Sequence, residues 1–221
     1  MVTKPEAPAI PPAGQTIGQL VADSLRFYGS RFWASLALGI GPAVLTVTAA
    51  KAPRDVQIAV LLTGWPVLMT ASYLAACFLV FGKPFDRGRI GIAALVGLVV
   101  AIPVPLLVAF FILPAVLWLA LVGLAVPAAV VEGTGIRESI RRGFALGRAD
   151  YVHAAGTLAT LVLLVALTQL ALFQLLHGLS QNAVVAAAFM ASLVVSPVLF
   201  IGSAFLYSHQ IARAAVESAS S

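Results

Sequence analysis

A chain of 221 residues that is 61% hydrophobic and only 10% charged, with a mean hydropathy of +1.05, lies far from soluble domains, which average about 25% charged and about 45–50% apolar residues. No water-soluble fold of this length can keep so much apolar surface from water, which identifies an integral membrane protein. The net charge of +5 does not point to nucleic acid, because the charges sit in short segments flanking apolar runs, as on the inner face of membrane proteins; no nucleic-acid partner is expected. The single cysteine, Cys77, lies inside an apolar run, so no disulfide framework exists within the chain.

Residues 1–14, MVTKPEAPAIPPAG, carry four prolines and no apolar run, which predicts a disordered cytoplasmic tail and no signal peptide. The next stretch, TIGQLVADSLRFYGSRFW, sets Thr16 and Gln19 at capping-box spacing. At 100° per residue, Ile17, Val21, Leu25, Tyr28 and Phe32 share one face, opposed by Gln19, Asp23 and Arg26. This predicts an amphipathic helix over 16–31 lying in the membrane interface.

Six spans follow, over 32–50, 57–81, 90–110, 114–131, 153–177 and 183–206. Residues 90–131 form 42 consecutive uncharged positions, about twice what one membrane helix needs. Pro103, Pro105 and Pro114 offer places for the required break, with a kink at the first pair and a tight turn near 110–114. Six spans with both termini cytoplasmic leave only Lys51 and Arg54 of the 13 basic residues outside, in accord with the inward bias of Lys and Arg. Five spans would expose the arginine-rich segment 137–148 outside and are rejected.

That segment, RESIRRGFALGRADY over 137–151, holds four arginines between two uncharged runs. On a helical wheel Ile136, Ile140, Phe144 and Tyr151 cluster, with Gly143 and Gly147 beside them and Arg137, Arg141 and Arg148 along one edge. The pattern predicts a second in-plane helix over 135–150, its arginine stems lying along apolar surface while their heads reach phosphates. A shift of 119 positions brings Ile17 onto Ile136, Val21 onto Ile140, Leu25 onto Phe144 and Phe32 onto Tyr151: a weak internal repeat of an in-plane helix running into a span. The predicted fold class is an all-α polytopic bundle: a single membrane domain over 15–213, six spans plus two in-plane helices, ending in a short cytoplasmic tail at 214–221.

The stretch IGQLVADSLRFYGSRFWASLALGIGPAVL resembles the opening of a family of bacterial six-span membrane proteins. The family includes free-standing uncharacterised members and the membrane domain of some glycerophosphoryl diester phosphodiesterases. VVEGTGIRESIRRGFALGRADYVHAAG is similar to its second block through Glu132, Gly133, Arg141, Arg142, Phe144, Leu146 and Arg148. Gly143 stands where a serine is usual, and a tyrosine follows Asp150. The resemblance implies the six-span fold and a bacterial inner-membrane location; with no phosphodiesterase domain in the chain, it does not carry that activity over.

No ionisable residue falls in the middle of an expected span, which lowers the case for an ion-coupled transporter. Pro42, Pro66, Pro103, Pro105, Pro114, Pro127 and Pro197 either open a cavity through kinks or are compensated by neighbouring helices, the second reading being favoured. Gln169 and Gln174 belong to the fifth span, Gln169 as an interhelical hydrogen-bonding group or, in a sharper reading, as a pathway contact. His177 is placed at the outer interface. Ala183, Ala187 and Ala191 form a small-residue stripe for internal packing or a homodimer seam. The best catalytic cluster, Glu132, Asp150 and His153, is read as carboxylates balancing nearby arginines. No metal site, cofactor or enzyme activity is expected.

The expected function is therefore a non-enzymatic membrane module. It associates with anionic lipid through Arg137, Arg141 and Arg148, anchored by Ile136, Ile140 and Phe144, or through the same helices with a membrane partner; a homo-oligomer is a further possible association. The alternative is a small-solute permease with a proline-kinked pathway.

Overall fold

The computed structural model describes residues 16–82, 87–176 and 180–220; the expected tail 1–14, together with Lys83 and His177, lies outside the described residues. Twelve α-helices are described: α1 (Ile17–Ser30), α2 (Phe32–Ala37), α3 (Ile40–Lys51), α4 (Arg54–Ala59), α5 (Trp65–Phe81), α6 (Arg87–Ala101), α7 (Pro103–Phe110), α8 (Ile112–Val122), α9 (Ala125–Glu132), α10 (Ile136–Ala149), α11 (Tyr151–Leu175) and α12 (Gln181–Ser220). They build six helices long and apolar enough to cross a membrane, Phe32–Lys51, Arg54–Phe81, Gly88–Phe110, Ile112–Glu132, Tyr151–Leu172 and Asn182–Val216, the architecture of a multi-pass membrane protein. These six are called spans below.

The spans form a ring in chain order, α3 against α5, α5 against α6, α6 and α7 against α8 and α9, α8 against α11 and α11 against α12, closed by α12 on α3. α12 also touches α5, α1 and α10, which makes it the hub. The fourth span is the most enclosed and the fifth the most peripheral.

Where the spans break, proline and glycine supply the cause. The third span kinks at Ile102, ahead of Pro103 and Pro105, and ends in a turn of one extended residue, Phe111 (φ −164°, ψ 155°). Pro66 has no N–H to give the Leu62 carbonyl, and the second span responds with a π-turn over Val60–Gly64 in which the Trp65 N–H reaches back to Val60. Pro127 likewise cannot serve the Gly123 carbonyl; the Tyr73 hydroxyl from the second span donates to it at 3.3 Å. Beside the Ile102 kink, the Trp118 indole N–H donates to the Val100 carbonyl at 2.9 Å.

Pro197, inside α12, leaves the Leu193 carbonyl without its usual helical donor. The break between α2 and α3 falls on Gly39, and this glycine packs against that same Leu193 carbonyl. A Cβ there would lie 2.7 Å from the Leu193 carbonyl carbon and 2.8 Å from its Cα.

The capping box at α1 is formed, with the Gln19 N–H donating to Thr16 Oγ1 at 3.3 Å and the Thr16 N–H to Gln19 Oε1 at 2.8 Å. α1 and α10 are each 14 residues long. Ile17 to Ile136, Ser30 to Ala149 and the following helix starts, Phe32 and Tyr151, all differ by the same 119 positions. The corner residues have similar dihedrals, Arg31 at φ −126°, ψ 43° and Asp150 at φ −137°, ψ 65°. Burial follows the shift as well, pairing Leu20 with Ser139 and Ser24 with Gly143.

The final element departs from the sequence expectation. Instead of a span ending near 206 and a tail at 214–221, α12 continues through Ser220, 40 residues in all. Residues 207–220 contain no glycine or proline to stop it, and they bury Tyr207, His209 and Gln210.

Two substitutions test these joints. Gly39→Leu should destabilise the detergent-solubilised protein by about 1–3 kcal/mol through collision with Leu193, whereas Gly91→Leu, with nothing within 4 Å of its Cβ, should be neutral or stabilising in thermal unfolding. Tyr73→Phe should cost about 0.5–1.5 kcal/mol by leaving the Gly123 carbonyl with only the Val126 N–H at 3.4 Å; an unchanged midpoint would show that the carbonyl does not need the phenol.

Candidate functional site

Three features carry polar or open surface: the flank of α10, two polar knots at the end of the bundle where α10 sits, and a row of cavities toward the opposite end.

α10 is seated by its smallest residues. Ser139, Gly143, Leu146 and Gly147 are buried, and Ile140 is half-buried. A Cβ on Gly143 would lie 2.5 Å from the Ala125 Cα, and one on Gly147 2.6 Å from the Ala120 carbonyl oxygen. The backbone thus approaches the α8–α9 break closely enough that no side chain larger than hydrogen fits at either position without a shift. Seating this stripe turns Arg137, Arg141, Arg148, Ile136 and Phe144 outward. Arg141 pairs with Glu138 at 2.9 Å on the exposed surface, and such surface pairs contribute little.

The first knot gathers around Glu132. Gly133, in the left-handed region at φ 67°, ends α9. Glu132 Oε1 accepts from the Tyr207 hydroxyl at 2.9 Å and from Arg142 Nε at 3.2 Å. This carboxylate therefore ties α9 to both α10 and α12. The Arg89 guanidinium lies against Gly133, 3.1 Å from where a Cβ would stand.

The second knot joins α11 to the extension of α12. Asp150 Oδ1 accepts from the His153 N–H at 3.3 Å and caps α11, while Asp150 Oδ2 pairs with Arg213. The His153 and His209 rings stack with centroids 5.0 Å apart. Thr157 and His209 are fully buried and Gln210 nearly so, and Thr157 Oγ1, Gln210 Nε2 and both His209 ring nitrogens have no protein partner. Glu132, Asp150 and His153, grouped from the sequence, are divided between the two knots, each carboxylate engaged by an arginine. Among the described residues no three His, Cys, Asp or Glu side chains are placed to hold a metal ion.

The cavities adjoin one another. One of about 220 Å³ is almost wholly apolar and lies among α5–α8, α11 and α12; two more, of about 430 and 390 Å³, flank Gln169. Gln169 Nε2 donates to Ser192 Oγ at 3.4 Å, and the Ser192 and Thr46 hydroxyls are 2.9 Å apart, so a polar bridge crosses α11, α12 and α3. Gln174 is exposed and lines none of the three. Ala191 is buried and Ala183 and Ala187 half-buried on α12, which packs between α3 and α11.

Compared with known protein families, with characterised proteins and with solved structures, the chain matches none.

Tyr207, His209 and Gln210 escape sequence reasoning because the apolar run of the last span ends at 206. The available signal was a pair of complementary spacings, Asp150 with His153 three apart and His209 with Arg213 four apart, on segments that both lack a helix breaker. A double-mutant cycle on Glu132→Ala and Tyr207→Phe should give a coupling of about 1.5 kcal/mol, the lower end for hydrogen bonds to charged groups, since Glu132 is partly exposed. A coupling near zero would remove the Glu132 knot from the forces holding α12 to α9.

Proposed function

We propose that the protein is a non-enzymatic membrane module of the bacterial inner membrane, both termini cytoplasmic, that associates with anionic lipid through α1 and α10 lying in the cytoplasmic interface. The observation that carries this reading is the matched exposure of the two copies of the repeat. Leu25 and Phe144, at equivalent positions, are 46% and 41% exposed, and Trp33 and Val152 are 80% and 82% exposed. Each copy buries a stripe that joins a leucine to small residues, Leu20 with Ser24 and Leu146 with Ser139, Gly143 and Gly147, and leaves other apolar side chains beside arginines. That is the side-chain order an interfacial helix needs, with apolar groups toward the acyl boundary and guanidinium heads toward phosphate. Kinship with the resembling six-span family would fit the same picture through Glu132, Gly133 and α10.

Each basic side chain near an anionic surface contributes about 1 kcal/mol. Arg137, Arg141 and Arg148 changed together to Gln should therefore lower retention of anionic lipid by about two orders of magnitude in native mass spectrometry of protein released from its own membrane. Equal retention would reduce α10 to a topological anchor.

A second reading, a small-solute permease, is favoured by Gln169 lining two adjoining cavities. A solute that accumulates in proteoliposomes holding the wild type, and not in those holding Gln169→Leu, would support it.

A further inference from the structure

The three cavities are arranged in series. The 430 and 390 Å³ cavities share Thr46, Gln169 and Ser192 as a common wall, and the 430 and 220 Å³ cavities share Trp65 and Met69. The shared side chains stand between neighbouring cavities. The series leads from a polar-floored cleft between α3, α11 and α12 to an apolar chamber inside the ring.

The lining selects by charge. Apart from the Tyr73 phenol, committed to the Gly123 carbonyl, no ionisable side chain among the described residues borders any of the three cavities. An ion entering them would lose its hydration with no countercharge, at a cost of several kcal/mol. Gln57, the other amide, spends both its N–H groups on the Ala49 and Ala52 carbonyls. At the shared wall, the Thr46 hydroxyl donates to the Pro42 carbonyl at 2.9 Å, so Ser192 donates to Thr46 and Gln169 to Ser192. The remaining N–H and the oxygen of the Gln169 amide are left for an occupant that both donates and accepts, as a hydroxyl does.

The apolar chamber selects by shape. At about 220 Å³ it falls below the roughly 300–1,000 Å³ of whole small-ligand sites, while each outer cavity lies within that range. It therefore takes one chain of a ligand whose head stays outside.

We propose that the three cavities are one segmented site for an uncharged, single-chain amphiphile of the monoacylglycerol class. The hydroxyl head sits on the Thr46–Ser192–Gln169 bridge, and the acyl chain passes Trp65 and Met69 into the apolar chamber. The site rests on the cavities alone and is independent of the anionic-lipid reading of α10.

The test uses 1-monooleoylglycerol and native mass spectrometry of the full chain in detergent. The wild type should retain one molecule, and the Arg137/Arg141/Arg148→Gln variant should retain one at concentrations where it holds no oleoyl lysophosphatidylglycerol. Ser192→Ala, which breaks the bridge, and Ala115→Phe, which fills the chamber, should each weaken retention about tenfold, while the Arg137/Arg141/Arg148→Gln variant should keep it. Equal retention of the anionic and uncharged probes by the wild type and both cavity variants would overturn the site. Should Ala115→Phe not fold, a Trp33→Phe/Trp118→Phe protein leaves Trp65 as the only tryptophan. A monoacylglycerol with a brominated chain should then quench its fluorescence and saturate near one equivalent. Quenching that merely follows the probe's mole fraction in the micelle would also overturn the site. Loss of anionic lipid from the arginine variant with the uncharged amphiphile retained separates the two proposals.

Discussion

A proline inside an apolar helix leaves a carbonyl without its donor, and in a bundle with little water that carbonyl needs another partner or a close neighbour. Much of this architecture can be read as the response to that demand. Pro127 brings the Tyr73 hydroxyl across to Gly123, and Pro66 is answered within its own span by the π-turn at Val60–Gly64. At Pro197 the Leu193 carbonyl meets Gly39, the residue at which the first span breaks. These joints fix the second span to the fourth and the first to the sixth.

The same joints explain why the bundle contains space. Helices that kink at Ile102, at Gly123–Leu124 and through the π-turn cannot pack along their whole length, and the cavities lie among those breaks. The two readings of the prolines weighed from the sequence, compensation by neighbours and opening of a cavity, are therefore compatible: the side chain that satisfies the freed carbonyl of Gly123, Tyr73, also lines the apolar chamber.

At the other end, glycine sets the geometry. Gly143 and Gly147 let the α10 backbone approach the α8–α9 break, and this contact, rather than the apolar edge of the helix, decides which face turns outward. α1 follows the same plan with Leu20 and Ser24 inward, seated on α12 and α11 instead. α12 supplies the counterparts, as Phe205 meets Phe27 edge to face and, in the extension, Tyr207 reaches Glu132 and Arg213 reaches Asp150.

The sequence by itself determined the all-helical class, the six apolar spans and the helices ahead of the first and fifth spans with their 119-residue relation, because hydropathy runs, helical periodicity and cap spacing are local properties. It also made the turn between the third and fourth spans necessary, since no single membrane helix uses 42 uncharged residues. Which face of α10 is buried depended on partners distant in sequence: the wheel placed Gly143 and Gly147 beside the stripe but could not supply Ala125 and Ala120. The joining of Glu132 to Tyr207, the stacking of His153 on His209, and the alignment of three cavities across Gln169 and Trp65 likewise needed the ring closed by α12. Such contacts join residues that share no periodicity, and only packing brings them together.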